Sequence, residues 1–235
     1  MRADSLRTGR AALGLLAAAV ALIGCMSDSA EAAAKPAAAS SANRCRFGAF
    51  VQEDDPAGLN VRAAPSAGAR ILGTLPPSFS SADNPGFKVR IEVDVLGQEN
   101  GWFHVAHARD NEQLTGRAAR KVFAGEGWVS GRKLTVKSQA TQGHAAPDAG
   151  SAAVLSLGDG DGLDGDAIVA ASHLVACDGR WALVELDAAR LPGDVRAQLK
   201  VSPGGPAGAT AAHPRAWVDR LCAVQETSCD GADAK

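Results

Sequence analysis

Apolar and polar positions alternate with period two along Val89-Arg90-Ile91-Glu92-Val93-Asp94-Val95-Leu96, which predicts one half-buried strand. The turn Gln98-Glu99-Asn100-Gly101 ends in Asn-Gly, a pair that tolerates positive φ, and so predicts a hairpin onto Trp102-Phe103-His104-Val105. Gly127-Trp128-Val129 opens another strand. Further on, Ala167-Ile168-Val169 and His173-Leu174-Val175-Ala176-Cys177 precede a turn at Asp178-Gly179, and Trp181-Ala182-Leu183-Val184-Glu185-Leu186 follows as the return strand. In Leu59-Asn60-Val61-Arg62 the apolar pair shares one strand face, expected inward, and Asn60 and Arg62 share the other. With 26 Gly and 11 Pro among 235 residues, short elements joined by turns are favoured over long helices. The expected fold class is all-β.

The pattern occurs twice. Ala63-Ala64-Pro65-Ser66-Ala67-Gly68 returns as Ala145-Ala146-Pro147-Asp148-Ala149-Gly150, and Leu75 then matches Leu157 at the same offset. Asn100-Gly101-Trp102-Phe103-His104-Val105 is echoed by Asp178-Gly179-Arg180-Trp181-Ala182-Leu183-Val184. Gly127-Trp128-Val129-Ser130 finds its partner in Ala216-Trp217-Val218-Asp219. Three landmarks in one order predict two copies of a single unit, residues 45–136 and 137–229, followed by a tail at 230–235. Residues 76–87, 108–121 and 188–214 read as extra loops, the last of them Gly- and Pro-rich and expected to be a mobile insertion.

The chain opens differently. Arg2, Arg7 and Arg10 precede an apolar run over residues 11–22 that is short for a bilayer span, the pattern of an export signal over residues 1–24. Leu22-Ile23-Gly24-Cys25 resembles the bacterial lipobox, which implies lipid attachment at Cys25 and a protein held on a membrane, facing the periplasm or the cell surface. A plain secreted protein cut later is the alternative. Residues 25–44 are mostly Ala, Ser, Lys and Pro, with little to bury, and read as a flexible linker. A formal net charge of -2 provides no field to gather phosphate backbones, so a nucleic-acid partner is not expected.

Setting Cys25 aside leaves Cys45, Cys177, Cys222 and Cys229, an even number in a chain bound for an oxidising compartment, which predicts two disulfides. If the strand of Trp181 pairs antiparallel with that of Trp217, Cys222 comes beside Cys177. The expected bonds are then Cys177–Cys222 and Cys45–Cys229, with Cys222–Cys229 as the rival. No C-x-x-C pair announces a zinc site, and no metal or other cofactor is expected.

Ala57-Gly58-Leu59-Asn60-Val61-Arg62-Ala63-Ala64-Pro65-Ser66, the Asn-Gly-Trp hairpin and Gly127-Trp128-Val129 together resemble the bacterial SH3-like (SH3b) domain. The first copy matches each block of that signature; the second is degenerate, with Thr141-Gln142-Gly143-His144 at the opening strand and Ala216 before Trp217. The resemblance implies two small five-stranded barrels in tandem, and an enzyme is not expected. It implies binding of peptidoglycan or peptide segments of an envelope protein in a groove lined by Arg62, Trp102, Phe103 and Trp128. An adaptor, scaffold or inhibitor of an envelope enzyme is the alternative. Catalytic arrangements find no support: His173 and Cys177 stand four apart on one strand, and His104 and His107 fall on opposite faces. The acidic run over residues 159–166 opens like a calcium loop but has Leu163 at its fifth position and Ala170 where a bidentate Glu is required.

Overall fold

The structure, a computed structural model, describes residues 44–80, 87–158 and 160–225. The export signal, Cys25, the linker to residue 43, Cys229 and the tail lie outside the described residues. No helix among the described residues is long and apolar enough to cross a membrane.

The all-β expectation holds. The first repeat contributes β1 (Arg44–Val51), β2 (Leu59–Arg62), β3 (Ile71–Leu75), β4 (Phe79–Ser80), β5 (Lys88–Val89), β6 (Glu92–Glu99), β7 (Trp102–Arg109), β8 (Gly127–Ser130) and β9 (Leu134–Thr135). The second contributes β10 (Gln142–His144), β11 (Ala153–Leu157), β12 (Ser172–Asp178), β13 (Trp181–Leu186), β14 (Leu199–Val201) and β15 (Arg215–Val218). Three short helices, α1 (Glu112–Thr115), α2 (Asp166–Ala171) and α3 (Gly193–Gln198), sit in the connections. A seven-stranded sheet runs β3-β2-β8-β7-β6-β1-β9 and a six-stranded sheet runs β12-β13-β15-β10-β11-β14. Read from β3 and from β11, both contain the same five-strand order: second, first, fifth, fourth, third. In the first sheet β1 and β9 extend beyond β6; in the second β14 extends beyond β11. The segment expected to be a mobile insertion therefore supplies α3 and a sheet strand instead, because Leu199, Lys200 and Val201 pair with Leu157, Ser156 and Leu155.

The registers repeat residue for residue. Phe103 faces Val129, His104 faces Trp128 and Val105 faces Gly127; at matching positions Ala182 faces Val218, Leu183 faces Trp217 and Val184 faces Ala216. Arg62 lies opposite Trp128, as His144 lies opposite Trp217. A β-bulge falls between Val61 and Arg62 in one repeat and between Gly143 and His144 in the other, and the third strand of each bulges at Leu96 and at Val175. The Ala-Pro loops agree too: Ala63 N donates to Arg70 O and Ala145 N to Ala152 O, both at 2.9 Å. Ser66 Oγ and Asp148 Oδ1 each accept from the glycine amide two residues on.

One contact is exchanged between the repeats. A Cβ added at Gly127 would meet Val61 Cγ1 at 2.7 Å, whereas a Cβ added at Gly143, the counterpart of Val61, would meet Ala216 Cβ at 2.5 Å. Where the first strand carries bulk the fifth carries none, and the reverse, so the Ala216 that blurs the second sequence motif is the complement of Gly143. Interiors packed this densely feel a change of one methyl.

The repeats do not hang as separate beads: the described residues fall in one compact unit, and one hydrophobic core runs through both. Thr135 Oγ1 donates to Val169 O at 2.9 Å, and Gln52 Nε2 donates to Ala170 O at 2.9 Å. The single strand expected over residues 89–96 is divided between β5, which ends at Val89, and β6, which begins at Glu92, and its polar face is covered by the second repeat. Val89, Ile91, Val93 and Val95 are buried as expected, yet Arg90 and Glu92, on the face expected to meet water, are 3% and 2% exposed. Residues from the end of the second repeat cover them. Gln225 Oε1 accepts from Arg90 N at 2.7 Å, and Glu92 Oε1 accepts from Gln225 N at 3.0 Å.

The disulfide expectation is corrected. Cys45 is bonded to Cys177, with 5.8 Å between their Cα atoms, instead of Cys177 to Cys222 and Cys45 to Cys229. The strand pairing behind the expectation is present, since Leu183 faces Trp217. What it lacked was β1, whose start pairs with the turn after Cys177: Arg46 N donates to Gly179 O at 2.8 Å and Gly179 N to Arg44 O at 2.9 Å. Cys222 is also disulfide-bonded, to a partner outside the described residues.

Candidate functional site

On the first sheet, alternation sends Val61, Phe103, Val105 and Val129 into the core and leaves Arg62, His104, Trp102 and Trp128 on the opposite face. Those four are half-buried; Arg62, Trp128 and His104 form a transverse row, Arg62 across from Trp128 and Trp128 across from His104, and Trp102 stands two residues along the strand from His104, opposite Ser130. The rings of His104 and Trp128 are 5.1 Å apart and tilted by 35°, within the distance at which aromatic rings contact one another. On the far side of His104 stands Gly97, which has no side chain to cover the row. Trp102 follows the Asn100-Gly101 turn, whose φ values of 50° and 78° supply the left-handed pair that a two-residue hairpin needs.

Of the residues expected in a groove, Trp102 and Trp128 are thus partly open on one face. Phe103 is corrected: it is 0% exposed and belongs to the core, because its strand neighbours take the outer positions. Arg62 is held internally, its Nη1 donating to Ala69 O at 2.9 Å. In the second repeat His144 Nδ1 donates to Ser151 O, the matching carbonyl, at 3.1 Å. Two unlike side chains making the same bond identify the position as a pin for the Ala-Pro loop.

The second repeat has the corresponding set, His144, Trp217, Leu183 and Trp181, in which His144 and Trp217 are half-buried like Arg62 and Trp128 but the hairpin end is closed. Trp181 and Leu183 are each 7% exposed, and the His144 ring meets Trp181 edge-on at 5.7 Å. The repeats thus differ at the hairpin end, half-open at Trp102 and His104 and closed at Trp181 and Leu183, while Trp128 and Trp217 are half-buried alike.

Charged groups elsewhere hold loops. Arg120 bonds both carboxylate oxygens of Asp110, Nε to Oδ2 at 2.9 Å and Nη2 to Oδ1 at 2.6 Å, and those bonds hold the Asp110 carboxyl below its ordinary pKa. Buried Glu92 receives Arg109 Nε at 3.0 Å. His107 is engaged by Asp94 at 2.8 Å, apart from His104. Cys177 is in a disulfide, and burial pushes the pKa of neighbouring His173 down. Leu163 of the acidic run is 4% exposed, a core residue that anchors the segment. Among the described residues no three His, Cys, Asp or Glu converge as metal ligands. No local pattern signals the burial of Arg90 and Glu92, because the cover over them arrives from about 130 residues downstream.

Comparison with protein-family models, with curated proteins and with solved structures gave no match.

Proposed function

We propose that this chain is a non-enzymatic envelope lipoprotein built from two SH3b-like units fused into one body, in which the first unit binds peptidoglycan or a peptide segment of an envelope partner. The observation carrying this reading is the contrast between two equivalent rows. One fold leaves Trp102 and His104 half-open beside Trp128 in the first repeat and closes the matching Trp181 and Leu183 beside the equally half-buried Trp217 in the second. Flat rings give contact area at little entropic cost, and a ligand lying across Trp128 and Trp102 would find an amide or carboxylate partner in His104. The lipobox resemblance at Cys25 and the disulfides support an exported setting.

Sedimentation of the full chain with purified cell-wall sacculi tests the reading. Wild-type protein is expected in the pellet, and Trp128→Ala is expected to remain in the supernatant with its circular-dichroism spectrum and urea midpoint little changed. Wild-type protein that stays in solution, or a folded Trp128→Ala protein that pellets equally, overturns cell-wall binding through this row.

A further inference from the structure

A second open feature lies between the repeats and shares no residue with the aromatic row. It is a groove of about 360 Å³, within the range of small-ligand sites, walled by β1 and β6 on one side and by Arg180, Leu221 and Ala223 on the other. Two bulges meet in it. β1 is irregular between Arg44, opposite Gly97, and Phe47, opposite Val95, so Cys45 and Arg46 together face Leu96. β6 is irregular at Leu96 on its other side, against β7. Bulges re-aim side chains, and here Leu96 is left 39% exposed, one of three exposed large apolar residues among those described.

The groove's chemistry is two-sided. Phe47, Val95, Leu96 and Leu221 offer an apolar wall, while Arg46 and Arg180 carry the charge. Arg46 has no side-chain partner among the described residues. Arg180 stands 3.5 Å from Asp219 with 57% of its side chain in solvent, an arrangement weak enough to be shared. Asp94 also lines the groove, but its carboxylate is engaged by His107 at 2.8 Å and Arg109 at 3.2 Å. The walls are fixed before any ligand arrives, by the Cys45–Cys177 bond and by the backbone bonds of Gly179 to Arg44 and Arg46.

We propose that this groove binds the C-terminal residue of a peptide, with its terminal carboxylate on Arg46 and Arg180 and an aliphatic last side chain against Leu96 and Phe47. The terminal residue fits better than an internal acidic one because it carries carboxylate and side chain on one Cα, matching Arg46 and Leu96, which face each other across neighbouring strands. A guanidinium accepts a carboxylate through paired N–H donors and gives direction to the contact.

Titration of the full chain by calorimetry with acetyl-Gly-Leu bearing a free carboxylate tests the assignment, beside acetyl-Gly-Leu amide and acetyl-Leu-Glu amide. The free acid is expected to bind saturably, and each amide to bind at least about tenfold more weakly, as loss of a charge-assisted hydrogen bond implies. Arg180→Gln and Arg46→Glu are each expected to weaken the free acid by a similar factor, while Trp128→Ala leaves it unchanged. Equal binding of acid and amide, or no saturable heat from the acid at millimolar concentration, overturns the proposal. Binding lost in Trp128→Ala but kept in folded Arg46→Glu moves the site to the aromatic row and overturns it as well. Because the sacculus experiment reads Trp128 and this one reads Arg46, either reading can fail without the other.

Discussion

Replacing Cys45 and Cys177 together by Ser removes a bond that spans 132 residues of chain and joins the first strand of one repeat to the hairpin of the other. In the chain-entropy account a crosslink closing a loop of that length restricts the unfolded ensemble by about 5 kcal/mol at 25 °C. That is the size of the whole stability of many domains, which runs from roughly 5 to 15 kcal/mol. The double substitution is preferable to reduction, because it leaves the Cys222 bond in place and no free thiol at either site to exchange with it. Urea unfolding followed by tryptophan fluorescence should show stability lowered by several kcal/mol and a steeper dependence on urea, since a released chain exposes more surface. A loss below about 1 kcal/mol with an unchanged slope would refute the entropic reasoning. Hydrogen exchange locates the effect: lost protection confined to the Arg46 and Gly179 amides would mean that the bond secures only the groove wall.

Gly143→Val should destabilise by about 1 to 3 kcal/mol through overpacking on Ala216, and adding Ala216→Gly should recover part of it, because Val61 over Gly127 is that arrangement in the first repeat. A double-mutant cycle with no coupling would show the exchange to be incidental. Phe103→Ala should cost about 3 to 5 kcal/mol by equilibrium unfolding, whereas a small effect would return Phe103 to the surface. His173 is held neutral by burial, with Glu185 favouring its charge and Arg132, Arg215 and His213 opposing it. Its folded pKa lies below the ordinary 6.5, so its contribution is intact above that value and lost as pH falls through it, where the unfolded chain binds the proton first. His173→Gln should flatten that decline in urea titrations between neutral and mildly acid pH; an unchanged slope refutes the assignment. Non-reducing peptide mapping should recover Cys45 with Cys177 and Cys222 with Cys229, and recovery of Cys177 with Cys222 would overturn the pairing.

Local chemistry carried far in this chain. Asn100-Gly101 specified its hairpin, alternation placed Leu59, Val61, Val93 and Val95 inward, and the recurring Ala-Pro loop announced a duplication that extends to matching bulges and hydrogen bonds. These features depend on residues close in sequence, where side-chain period and turn geometry decide the outcome. Which polar residues would be buried, which cysteines would meet and which hairpin tryptophan would close depended on how the repeats pack. Gln225 closes over Arg90 and Glu92, β1 carries Cys45 to the turn after Cys177, and Trp181 closes where Trp102 stays partly open. No period along the chain encodes such meetings, because each depends on a contact between segments brought together only when the common core forms.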